Sequence, residues 1–201
     1  LLIRLPQIMP APLDAHAAEL IEQLAAEYPL DQIFPSLLAP QLDPSAPPVA
    51  QDAALNVLAD SMDERFFAGL DVVYPRASAD RRARWLAASA RFNSPTALEE
   101  LAKYVRSARG VDRDPAERAF LRAARSMDSL QARAWLLDSG LGHRVAFVRR
   151  ASLIALGPKF EPIEIAAALS LTRDSDPKVL RTLIPNLSAH PSGAAGKALQ
   201  E

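Results

Sequence analysis

The chain has 201 residues, 49% of them apolar, with 7 glycines, no cysteine and a net charge of −1. That length allows one or two domains with a real core, and the mixture of apolar and charged residues excludes a chain disordered throughout. The lack of cysteine excludes disulfides and thiolate chemistry, and no stretch approaches the 18 or so apolar residues of a membrane-spanning helix.

Ala and Leu dominate, and β-branched residues are sparse, which favours helix over strand. Arg outnumbers Lys by 19 to 4, a bias expected of a GC-rich bacterial genome. The charge is unevenly placed: residues 1–75 carry 2 basic and 11 acidic residues, and residues 76–150 carry 16 basic and 8 acidic. A cytoplasmic location is the expectation, with a removed signal peptide left open because the chain starts at Leu1 rather than Met.

In chain order, residues 1–12 hold three prolines and read as an extended lead-in. Asp14 then opens a helix over 14–28, with Ala17, Leu20, Ile21, Leu24 and Ala25 at helical spacing. Residues 29–48 carry six prolines, so only a short helix near 30–39 is predicted, followed by a linker or arm over 40–48. Ile33, Phe34, Leu37 and Leu38 mark the part of this arm expected to dock on a surface, because a free linker would not need them.

From residue 49 the text is helical and nearly continuous. Helices are predicted at 49–60, 62–73, 79–92, 95–109, 114–126, 129–139, 144–156, 161–173, 177–188 and 192–199. The breaks are chemically explicit: Asn93-Ser94-Pro95 and Asp174-Ser175-Asp176-Pro177 each combine a stop, a capping side chain and a proline at the first helical position. Gly110, Gly140, Gly142 and Gly157 punctuate the others. The predicted division is an N-terminal helix and arm over 1–48 and a run of helical hairpins over 49–201.

Asp114-Pro115 and Asp176-Pro177 lie 62 residues apart, twice 31, and a shift of 31 from the first lands on Val145-Ala146. A period near 30 with two helices per unit is the mark of an α-solenoid, whose hairpins must stack to bury their apolar faces. Here Asp174-Ser-Asp-Pro-Lys-Val-Leu-Arg and Phe147-Val148-Arg149-Arg150-Ala151 resemble HEAT repeats, in which an acidic turn precedes a Val-Arg pair opening the second helix. The middle unit lacks the Asp-Pro, and Leu180 stands where an Arg usually follows Val. The resemblance covers roughly residues 95–190. It implies an all-α, right-handed superhelical stack of antiparallel hairpins, with the second helices lining a concave surface.

Those second helices carry the arginines. Arg118, Arg122 and Arg125 fall on one helix face, Arg149 lies 31 residues after Arg118, and Arg181 lies 31 after Arg150. Three readings are open: arginine stems covering apolar surface and paired at the turns, pairing with the acidic residues of 1–75, or an acidic partner in a groove. The hypothetical partner-binding set is Arg118, Arg122, Arg125, Arg149, Arg150 and Arg181.

Catalytic chemistry has no visible constellation. His16, His143 and His190 are far apart and lack neighbours at metal-ligand spacing, no glycine-rich phosphate loop is present, and Ser139 and Ser152 have no elbow motif around them. Asp60, Asp63 and Glu64 read as a solvated helix end, and Trp85 and Trp135 as core. No cofactor or metal is expected. The leading expectation is a non-catalytic protein-interaction or scaffold module. The alternatives are a nucleic-acid-binding or repair protein, in which HEAT-like alkylpurine glycosylases would recruit Trp85, Trp135, Arg133 and Asp138, and a self-assembly module acting through the N-terminal arm.

Overall fold

The computed structural model describes residues 14–157, 160 and 162–188. Among them there is no strand, and eleven helices pack against one another. The lead-in over 1–12 and the predicted helix over 192–199 lie outside the described residues. The chain divides into two compact units, residues 1–92 and 93–201, so the expected boundary at 48/49 falls inside the first.

The first unit holds α1 (Asp14–Glu27), α2 (Leu30–Leu42), α3 (Pro48–Asp60), α4 (Arg65–Val73) and α5 (Ala79–Ser89). α1 and α2 both pack on α3, α2 reaches α4, and α5 closes on α3 and α4. The core is aromatic. Phe66 stacks at 4.8 Å from Trp85 and 4.9 Å from Phe92, and Phe67 meets Phe92 edge-on at 5.1 Å. Trp85 and Phe66 are completely buried. Burying rings of this size stabilises each by a few kcal/mol, so this cluster anchors the unit.

α2 runs to Leu42 although Pro35 and Pro40 sit inside it, further than its prolines predict. Each proline removes one helical hydrogen bond. What offsets the loss is burial of Ile33, Leu37 and Gln41, which share one face at i, i+4 and i+8. The other docking residues lie against α4: a Cβ on Gly69 would meet Leu38 at 2.9 Å and Phe34 at 3.7 Å. Gly69 therefore lets α4 approach α2 closely. The arm residues Ile33, Phe34, Leu37 and Leu38 are thus placed on the chain's own first unit.

Gln41 also centres a buried polar network. Its Oε1 accepts from Trp85 Nε1 at 3.1 Å and from Arg81 Nη1 at 3.0 Å, and its Nε2 donates to the Gln51 carbonyl. Gln51 Nε2 in turn donates to the Asp43 carbonyl at 2.9 Å. The network satisfies the indole N–H and fixes the turn between α2 and α3. Met62, at φ 52°, makes the next turn in the left-handed region, and α4 starts three residues later than predicted.

The second unit holds α6 (Pro95–Ser107), α7 (Arg113–Ser126), α8 (Leu130–Trp135), α9 (Ala146–Leu156), α10 (Pro162–Leu169) and α11 (Pro177–Ser188). A π-helical turn over Leu136–Gly140 extends α8, and a 3₁₀ turn over Ser170–Arg173 extends α10. Ser94 and Ser129 cap α6 and α8 by accepting from the N–H three residues on, at 3.2 Å each, and Asp176 accepts from Lys178 N at 2.7 Å. The Ser94 and Asp176 caps stand where the Ser-Pro and Asp-Pro motifs place them.

The helices alternate in two rows. α6 meets α8, and the π turn meets α10; α7 meets α9, and α9 meets α11. α7 buries a narrow, mostly small-residue stripe of Ala116, Ala119, Phe120, Ala123 and Ala124. Small residues let the backbones approach, and Phe120 fills the remaining space beside Trp135, at 6.1 Å between rings. The pairing is compatible with an α-solenoid. No described helix is long and apolar enough to cross a membrane.

Candidate interaction surface

The two units differ in charge and in how their arginines are used. Residues 1–92 carry 7 basic and 12 acidic residues, and residues 93–201 carry 16 and 12. In the first unit three exposed arginines pair with acids, each reaching one about 30 residues away, while Arg76 is exposed without an ion pair to a described residue. Arg65 pairs with Asp31 and Asp63, Arg84 with Asp52 and Asp80, and Arg91 with Asp60. Arg84 and Arg91 thus join the basic stretch to the acidic residues of 1–75. These pairs are solvent-exposed, so each contributes at most about 1 kcal/mol.

In the second unit two arginines are bound internally. Arg133 on α8 grips Glu164 on α10 with two bonds of 2.6 and 2.5 Å. Arg149 on α9 grips Asp174 with bonds of 2.6 and 2.7 Å and donates to the His143 carbonyl at 2.8 Å. The Asp174 side chain is 3% exposed. It also accepts from Asp176 N at 2.8 Å, so it ties the acidic turn to the preceding second helix. The Arg149 guanidinium holds the Asp174 carboxyl below the usual aspartate range, and the bond from Asp176 N acts in the same direction. His143 is half-buried, and burial lowers its pKa, reinforced by Arg144 and Arg106.

The remaining arginines of the hypothetical set are arranged differently. Arg118, Arg122 and Arg125 on α7 and Arg181 on α11 are exposed, and none forms an ion pair with a described residue. They keep three and one free cations respectively on two of the three second helices. Arg150, on the helix between, lies over the Phe147 ring at 5.1 Å. Its Nε is buried and has no hydrogen-bond partner among the described residues. The period of 31 therefore groups arginines of unlike roles: Arg149 is a structural tie, and Arg118 at the equivalent position is free.

A concavity of about 160 Å³ opens beside these residues, between the first turns of α7, α9 and α11. Arg113, Glu117, Phe147, Arg150, Asp176 and Lys178 line it. Its walls come from three stretches that the 31-residue spacing aligns, around Asp114, Val145 and Asp176, though no single stretch shows that they enclose a space.

The residues that a glycosylase-like reading would recruit are placed as follows. Trp85 is completely buried in the first unit, with its N–H on Gln41. Arg133 is held by Glu164, while Trp135 is half-buried and Asp138 exposed. Among the described residues no three His, Asp or Glu side chains come together as metal ligands. Comparison with protein-family models and with curated protein sequences finds no match to this chain.

Proposed function

We propose that the chain is a non-catalytic interaction module whose second unit is a HEAT-like stack of helical hairpins presenting an arginine-lined surface to an acidic protein partner. The observation that carries this reading is the contrast in arginine use. Arg65, Arg84 and Arg91 in the first unit, with Arg133 and Arg149, are held by acids, whereas Arg118, Arg122, Arg125 and Arg181 stay exposed and unpaired among the described residues. Unpaired cations on the first and third of the second helices raise the local positive potential and favour an anionic partner. The two rows of helices support the hairpin stack, since each row meets its own next member.

The test is fluorescence anisotropy with a labelled octaglutamate peptide, against an octaglutamine peptide and a duplex DNA of matched label. The expected result is binding of octaglutamate alone or in preference, weakened by R118Q/R122Q/R125Q. Tighter binding to DNA, falling steeply between low and moderate salt, would favour a nucleic-acid partner instead. No binding to either anion would refute the surface.

A further inference from the structure

We infer that the concavity between the first turns of α7, α9 and α11 is a receptor for a single Asp or Glu side chain of a protein partner, held by Arg150 and Lys178. This rests on the reading above of an acidic protein partner, and adds where and how one of its side chains is taken.

The argument is a local account of charge. Two carboxylates border the concavity, and both are already engaged. Glu117 is bonded by Arg113 Nε at 2.9 Å, and Asp176 caps α11 through Lys178 N at 2.7 Å. Three cations border it: Arg113, which is spent on Glu117, and the Arg150 guanidinium and Lys178 ammonium, which form no ion pair with a described residue. The contact with Phe147 leaves the guanidinium N–H groups in need of an acceptor and restricts the side chain, so an incoming carboxylate meets a fork already held beside the ring.

Size and charge select the guest. A space of about 160 Å³ holds one acidic side chain, since a cavity of roughly 150 Å³ accommodates benzene. One carboxylate can lie between the Arg150 and Lys178 cations.

The experiment uses the full chain and the labelled octaglutamate peptide. R150Q/K178Q is expected to weaken binding by about tenfold or more, the loss of the two charge-assisted contacts that hold the carboxylate. A charge-retaining R150K/K178R variant is expected to recover part of it. In ¹⁵N–¹H spectra of the wild type, the Arg150 Nε–Hε resonance should move on adding the peptide. That readout needs no variant, so it stands even if R150Q/K178Q folds poorly. Peptide binding to the wild type with the Arg150 resonance unmoved and R150Q/K178Q unaffected would overturn the receptor while leaving the arginine surface intact. Failure of the wild type to bind octaglutamate would overturn both. Equal, modest losses for peptide and DNA in R150Q/K178Q would also overturn it, as the pocket would then be only a diffuse positive field.

Discussion

Gly140 is the tightest packing point described in the second unit. A Cβ there would overlap Ser152 Oγ outright and lie 3.1 Å from Ser152 Cβ and 3.5 Å from the Trp135 ring. Ser152 is completely buried on α9, and its hydroxyl has no partner among the described residues. Gly140→Ala therefore pushes the π turn off α9, an overpacking cost of roughly 1–3 kcal/mol. Ala's better helix propensity returns up to roughly 1 kcal/mol, leaving a net loss of about 1–2 kcal/mol. For a unit of about 100 residues that corresponds to a fall in Tm of roughly 5–10 °C. Ser152→Ala alone should be neutral or stabilise by up to about 1 kcal/mol, since it deletes an unsatisfied buried hydroxyl. The double variant should regain most of the loss, with a coupling of about 1–2 kcal/mol. Urea unfolding followed by circular dichroism at 222 nm, with thermal melts, measures all four corners. A Gly140→Ala chain that melts with the wild type, or a double variant no better than Gly140→Ala, would refute the steric account.

Three further outcomes follow from the polar contacts. Asp174→Ala should destabilise the second unit by about 3 kcal/mol, because Arg149 is left without its carboxylate and Asp176 N without its acceptor. Asp174 has a folded pKa below the ordinary 3.8, so its contribution is fully present above about pH 4 and lost as pH falls through the folded value. The gap between wild type and Asp174→Asn in thermal melts should therefore be flat from pH 7 to 5 and close below pH 4; a constant gap down to pH 2 would contradict the pairing. Gln41→Leu should cost about 2–3 kcal/mol, since it takes the acceptor from the buried Trp85 N–H and from Arg81, and Trp85→Phe in that background should recover part of the loss in the same melts. R118Q/R122Q/R125Q should change stability by no more than about 0.5 kcal/mol, because those side chains are exposed and unpaired; a larger loss in urea titrations would place them in the fold rather than on a free surface.

Much of the helix order was legible in residues with local chemistry. Ser94-Pro95 and Asp176-Pro177 start helices where such pairs must, and Pro29 separates α1 from α2. α2 was harder to read because proline punctuates a sequence more strongly than burial does. Only the spacing of Ile33, Leu37 and Gln41 reveals its last turn, and the polar Gln41 hides the pattern. The aromatic core placed Trp85 as expected, but its anchor, Gln41, lies 44 residues away and has no periodic mark. The arginine surface was half legible. Periodicity found Arg118 and Arg149 at equivalent positions, yet only three-dimensional placement gives Arg149 an acid, Asp174, and leaves Arg118 without one. The π turn breaks the 3.6-residue pattern after Trp135, so the close approach at Gly140 could not be read from spacing.

Several of the long-range polar contacts reach a similar distance along the chain. Arg91 to Asp60 and Arg133 to Glu164 each span 31 residues, Arg84 to Asp52 spans 32, and Asn186 to the Leu153 carbonyl spans 33. Contacts that close over one hairpin ask little loop entropy of the unfolded chain. Folding of each unit should accordingly be fast, with rates set by local encounters rather than by the joining of distant ends.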